Sequence, residues 1–187
     1  MIAPGPRAKT ETPQVLLLNG GSSSGKTSVA RELQSVLDGV WLRLGVDTLL
    51  EAVPPSMLDE DGLELRADGA VVVGARFAAV EDWWMAGIAT MVEVGAHVVI
   101  EDNFVSGPGA QQRWRAALDR VTVGWVGIRC APAVAAERER DRSDRIFGRA
   151  AKQALAVHEG ICYDLEVDAG AHRPDELAQL VQQHFFA

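Results

Sequence analysis

Asn19-Gly20-Gly21-Ser22-Ser23-Ser24-Gly25-Lys26-Thr27 decides the fold. It follows the apolar run Val15-Leu16-Leu17-Leu18, which reads as a strand buried on both faces. It precedes Ser28 to Leu37, where Val29, Ala30, Leu33, Val36 and Leu37 recur at helical spacing. Gly20, four intervening residues, then Gly25-Lys26-Thr27 fit the pattern G-x-x-x-x-G-K-[ST] in its required strand-to-helix context. Glycines let the backbone turn tightly and approach an anion with no Cβ in the way. Successive N–H groups and the positive end of the following helix attract phosphate oxygens. Gly20, Gly21, Ser22, Ser23, Ser24, Gly25, Lys26 and Thr27 are therefore expected to hold ATP. Lys26 is expected to reach the β- and γ-phosphates, and the Thr27 hydroxyl to ligate Mg²⁺. The competing reading, a chance turn before a core helix, does not account for that context.

The rest of the chain alternates. Strands are expected at Val40 to Val46, His97 to Ile100, Val121 to Ile128 and Tyr163 to Val167. Helices are expected at Thr48 to Val53, Arg76 to Val94, Ala110 to Leu118, from Pro132 onward, at Ile146 to Val157 and at Pro174 to Phe185. Leu63 to Arg66 and Ala70 to Val73 flank Ala67-Asp68-Gly69, a β-hairpin signal. Alternating strands and helices predict an α/β fold: a five-stranded parallel sheet with helices on both faces. Ligands in such sheets bind beyond the carboxyl ends of the strands. That places the glycine loop, Asp47, Asp102 and Arg129-Cys130 along one edge.

Composition narrows the function. The 187 residues are 48% hydrophobic and 24% charged, as in an ordinary globular protein. Residues 14–187 are expected to form a single domain behind a flexible N-terminal tail, residues 1–13. A net charge of −8 disfavours nucleic-acid binding, yet it permits a local anion site. No apolar run is long enough for a membrane span and no signal peptide is visible, so a cytoplasmic protein is expected. Cys130 and Cys162 lack metal-ligand spacing and read as reduced cysteines.

Three further groups carry candidate chemistry. Asp47, closing the second strand, is placed to take the proton of a hydroxyl attacking the γ-phosphate, or alternatively to cap the next helix. Asp102, after an apolar strand, is expected to serve the metal; strand alternation allows either it or Glu101 to face the site, and Asp102 is chosen. The run Glu137-Arg138-Glu139-Arg140-Asp141-Arg142-Ser143-Asp144-Arg145 reads either as a solvated helix of Glu–Arg pairs or as an arginine-rich lid. As a lid it would deliver Arg142 and Arg145 to the phosphoryl group. Met57, Trp83, Trp84 and Phe104 are the candidate acceptor-pocket residues. Trp83 and Trp84 are adjacent and cannot both face the same side of a helix. The four histidines share no spacing and read as incidental.

These residues resemble the chloramphenicol phosphotransferase family. The resemblance rests on Leu18 to Lys26, Gly45-Val46-Asp47, Ala151-Lys152-Gln153, Val157-His158-Glu159-Gly160, Tyr163-Asp164 and Glu166-Val167-Asp168. The Gln-Arg-Trp ending at Trp114, Val126-Gly127 and Arg129-Cys130 add to it. It implies a phosphate-loop kinase fold and ATP-dependent phosphorylation of the primary hydroxyl of chloramphenicol, an inactivation of the antibiotic. It also implies that Asp47 is the base, that Lys26 binds phosphate and that Arg142 and Arg145 assist. Glu81 to Met85, Asn103 and Pro54 to Leu65 depart from the family pattern where an acceptor would sit, so phosphoryl transfer is the firmer implication.

The expected function is an O-phosphotransferase using ATP and Mg²⁺ on a small-molecule hydroxyl. One alternative is a kinase of the same fold acting on another metabolite, nucleoside or sugar nucleotide. The other is a non-catalytic nucleotide-binding switch. The oligomeric state is left open, a homo-oligomer included.

Overall fold

The structure, a computed structural model, describes residues 12–58, 61–66, 71–140 and 148–187. In chain order it contains β1 (Val15–Asn19), α1 (Lys26–Val36), β2 (Trp41–Gly45), α2 (Val46–Ala52) and a 3₁₀ turn at Pro55–Met57. Then come β3 (Leu63–Leu65), β4 (Val71–Val73), α3 (Ala75–Glu93), β5 (His97–Asp102) and α4 (Pro108–Ala117). The chain continues with β6 (Val123–Arg129), α5 (Pro132–Arg140), α6 (Arg149–Ala156), β7 (Leu165–Asp168) and α7 (Pro174–Phe186).

Five strands form one sheet in the order β2-β5-β1-β6-β7, and all its pairings are parallel. β1 is central and buried along its whole length. Alternation sends Leu16 and Leu18 to one face, where they meet Val29 and Leu33 of α1 and Leu177 and Val181 of α7. Val15 and Leu17 go to the other face, against Ile88 and Val92 of α3 and Trp114 of α4. An unbroken apolar strand is what two covered faces require, and each fully buried leucine contributes about 1.5–3 kcal/mol. This is the expected α/β architecture.

β3 and β4 pair antiparallel as a separate hairpin. The hairpin covers a small cluster of Leu49, Met57, Leu63 and Phe77 beside the carboxyl edge of β2. Its expected turn, Ala67-Asp68-Gly69, lies outside the described residues, as do residues 141–145 of the expected lid and the first two residues of the helix expected from Ile146.

One boundary differs in a way that matters. The second strand ends at Gly45, and Asp47 sits in the first turn of α2 instead of closing the strand. Gly45 pairs with Glu101 so closely that a Cβ at 45 would lie 2.6 Å from the Glu101 carbonyl oxygen. The chain needs a glycine there and turns into helix directly after it. Both cysteines are free. Among the described residues no helix is long and apolar enough to cross a membrane.

Candidate active site

The loop from Asn19 to Thr27 joins β1 to α1 at the carboxyl edge of the sheet, and Gly25 is the N-cap residue of α1. Its N–H groups and the helix start make an anion cradle. The Ser23 and Ser24 hydroxyls are buried without a partner, as polar atoms waiting for an anionic ligand would be. The Lys26 ammonium group donates to the carbonyls of Gly20 and Gly21, so its charge lies over the loop mouth.

Thr27 Oγ1 donates to Glu101 Oε2 at 2.6 Å, and Arg43 Nη1 donates to Glu101 Oε1 at 2.6 Å. Asp102 was the carboxylate expected to serve the metal with Thr27; the carboxylate hydrogen-bonded to Thr27 is its neighbour Glu101. On β5, Val99 and Glu101 share the face of Leu16 and Leu18, which α1 covers; Ile100 and Asp102 share the face of Leu17, which α3 and α4 cover. Asp102 lies on the opposite strand face, yet it borders the same cleft as Thr27 and feels the Lys26 charge. Its Oδ2 accepts the Trp114 indole N–H at 2.6 Å, and its Oδ1 accepts the amides of Asn103 and Phe104. Burial raises its carboxyl above the usual range, and the Trp114 and backbone donors oppose that shift. Thr27 and Glu101 supply the hard oxygen donors that Mg²⁺ prefers, and such an ion commonly takes only one or two protein groups besides phosphates and water.

Asp47, Lys26, Thr27 and Glu101 line one cleft. Asp47 is exposed, and its carboxylate takes no hydrogen bond or ion pair among the described residues. The far wall is apolar: Leu50, Leu63, Val73, Phe77, Met85 and Phe104. Its polar end is the Glu81–Arg113 pair. Arg113 Nη1 donates to Glu81 at 2.7 Å, and its Nη2 donates to Asp82 at 2.7 Å and to the Ala78 carbonyl at 2.8 Å. Burial raises the Glu81 carboxyl, and Arg113 pulls it back.

Of the four expected pocket residues only Phe104 lines the cleft. Trp83 is 72% exposed, Trp84 packs between two apolar clusters and Met57 is buried beneath the hairpin. The adjacency argument thus separates the tryptophans correctly, but neither of them faces the acceptor side. Among the described residues, Phe104 and Ser23 are the non-glycine residues with positive φ, 25° and 57°, and both border the cleft. Backbone strain of this kind concentrates at functional sites.

A second hollow lies on the other side of the loop, lined by Ser23, Gly25, Arg138, Ala169, His172 and Pro174. Arg138 holds its rim by donating to the carbonyls of Ser24 at 3.3 Å and Ala169 at 2.7 Å. Arg142 and Arg145 lie outside the described residues.

The family described as chloramphenicol phosphotransferase-like protein matches residues 13–186. The chain belongs to this family. A protein of Mycobacterium tuberculosis, Rv2636, provisionally named an O-phosphotransferase, is 29% identical over 191 aligned residues, covering 93% of this chain and 83% of the relative. Among solved structures, a sugar kinase from Janibacter sp. HTCC2649 superposes with a TM-score of 0.67 at 14% identity, over 90% of this chain and 92% of that one. The APS kinase CysC of Mycobacterium tuberculosis, solved with AMPPNP and APS, gives 0.62 at 14% identity, over 95% of this chain and all of that one. These likenesses show the phosphate-loop kinase fold.

Within this member of the family, sequence reasoning missed several site residues. Glu101 was weighed and set aside. Glu81, Arg113 and Arg43 lacked any local pattern, because their charged partners lie 31 to 58 positions away. His158, read as incidental, is buried beneath the loop in a network. Asn19 Nδ2 donates to the Val157 carbonyl at 2.7 Å and to Tyr163 Oη at 2.5 Å, and Tyr163 Oη lies 2.7 Å from His158 Nδ1. Burial and then Arg129 hold the imidazole pKa down to about 4, so the neutral ring is assigned as acceptor of the Tyr163 proton. The Val157 to Gly160 segment, quoted only for its resemblance, was the one signal pointing to it.

Proposed function

We propose that the protein is an ATP-dependent O-phosphotransferase that moves the γ-phosphoryl group to a small-molecule hydroxyl, the primary hydroxyl of chloramphenicol being its acceptor. The family membership and the kinase fold support the reaction type. The observation that carries the reading is the shared cleft: an Asp47 carboxylate unpaired among the described residues stands on one wall, the glycine loop forms the floor and apolar side chains close the far side.

In this reading the loop amides and Lys26 hold the β- and γ-phosphates. Thr27 and Glu101 hold Mg²⁺, which when bound neutralises charge developing on the phosphate oxygens. Asp47 orients the acceptor hydroxyl and accepts its proton as the new O–P bond forms and the bond from the γ-phosphorus to the β–γ bridging oxygen breaks, releasing ADP. Leu63, Phe77, Met85 and Phe104 suit an acceptor with an apolar body. Two of the three arginines lining the cleft among the described residues, Arg43 and Arg113, are already paired with carboxylates, so neither offers a free cation to a strongly anionic acceptor. That favours an uncharged alcohol.

The test is incubation with MgATP and chloramphenicol, with the product read by mass spectrometry. The expected result is a 3-O-phosphate ester with one ADP formed per ester. ADP formation only with a different hydroxyl acceptor would keep the reaction and replace the acceptor. ADP formation unchanged by every acceptor in a panel would overturn the phosphotransferase reading in favour of a nucleotide switch.

A further inference from the structure

We propose that Arg149 is a further catalytic arginine of this site, bonding the terminal phosphoryl group of the bound triphosphate from a fixed helix end. The proposal rests on the phosphotransferase reading above. Among the described residues, three arginines line the cleft: Arg43, Arg113 and Arg149. The first two are committed, Arg43 to Glu101 and Arg113 to Glu81 and Asp82. Arg149 has no carboxylate and no hydrogen-bond acceptor among the described residues, and its Nε is buried without a partner. A guanidinium in that condition is matched by an anion presenting two oxygens, which is what a phosphoryl group offers.

The backbone around Arg149 is held on both sides. The Glu139 carboxylate, 2% exposed, accepts the Gly148 amide at 2.7 Å and the Ala150 amide at 2.9 Å. One turn further along α6, Gln153 Oε1 accepts the Ser22 amide at 2.9 Å. The α6 backbone also packs directly on Gly21, where a Cβ would lie 3.0 Å from the Gln153 carbonyl carbon. The helix that carries Arg149 is thereby tied to the phosphate loop at Ser22 and at Gly21, both through Gln153. A donor fixed before the reaction costs no reorganisation during it.

Its placement selects which phosphate it meets. Arg149 borders the cleft that holds Lys26, Thr27 and Asp47, and it is absent from the hollow lined by Arg138, His172 and Pro174. It therefore stands on the side of the loop where the hydroxyl attacks. During transfer the three equatorial oxygens of the γ-phosphoryl carry the charge that Arg149 stabilises, while the leaving electron pair stays on ADP.

The experiment compares Mg-AMPPNP and Mg-ADP binding to the wild type, Arg149→Ala, Arg149→Met and Arg149→Lys by calorimetry. Loss of the guanidinium is expected to weaken AMPPNP by ~10-fold or more and to leave ADP within about twofold, with Arg149→Lys intermediate. Millimolar guanidinium ion added to Arg149→Ala is expected to recover part of the lost AMPPNP affinity and to do nothing for the wild type. Arg149→Met keeps the aliphatic stem and carries the test if the alanine variant does not fold. Equal weakening of both nucleotides, or none, would overturn the proposal. A wild type that binds neither nucleotide would instead overturn the phosphotransferase reading, and this proposal with it.

Discussion

Thr27 and Arg43 both donate to the Glu101 carboxylate, one from α1 and one from the strand beside it. If Mg²⁺ is held between Thr27 and Glu101, Glu101→Gln removes the charge and keeps the shape. The Mg²⁺ concentration giving half-maximal ADP formation should then rise by ~10-fold or more, because the anionic member of the donor pair is gone. A magnesium titration of both proteins reads it. Asp102→Ala should behave differently. It strands the Trp114 indole N–H and two backbone amides, which costs about 1–3 kcal/mol. Thermal melting should show a loss of stability, with the magnesium dependence of the remaining activity unchanged. Sequence alone established that residues 101 and 102 face opposite sides of the sheet. Which side α1 would cover is a tertiary fact, and it sets Glu101, not Asp102, in hydrogen-bond contact with Thr27.

At the scale of elements, α6 and the segment after it hold the phosphate loop from beneath. Gln153→Ala leaves the buried Ser22 amide without its acceptor, a loss of about 1–3 kcal/mol, or very roughly 2–10 °C in melting temperature for a chain of this size. Differential scanning calorimetry checks it. The His158 network adds a pH dependence. Its pKa is lowered from 6.5 to about 4 by burial, so the unfolded chain binds the proton first as the medium is acidified. The neutral-histidine contribution is full above pH 6.5 and is lost as the pH falls toward 4, amounting to about 2 kcal/mol at pH 5. Urea midpoints at pH 7 and pH 5 should therefore differ more for the wild type than for His158→Gln. The helices and strands of this region were legible because their apolar periods are strong. The arginine-dense run was less so: Glu139, one of many charges in it, is buried and ties α5 to α6. A pattern of alternating charges cannot show which carboxylate will be taken out of water.

Across the whole molecule, the order of strands brings the carboxyl ends of β1, β2 and β5 together, and that adjacency sets the glycine loop, Asp47 and Glu101 around one cleft. Phosphate-loop spacing and strand–helix alternation made the fold and the phosphate end of the site readable in the sequence. The acceptor end was readable only in part: the sequence points to Phe104 and marks Glu81 to Met85 and Pro54 to Leu65, but its wall comes from the hairpin, α2, α3 and the turn after β5, which no local pattern links. Adjacent aromatic residues drew attention to Trp83 and Trp84, while the wall itself is built from Phe77, Met85 and Phe104. The central claim is that Asp47 accepts the acceptor's proton across this cleft. Steady-state phosphorylation of chloramphenicol by Asp47→Asn, beside calorimetric binding of AMPPNP, tests it most directly. The account predicts a fall in kcat of ~10²-fold or more with AMPPNP affinity within about threefold of the wild type. An Asp47→Asn enzyme that forms the phosphate ester at the wild-type rate would contradict it.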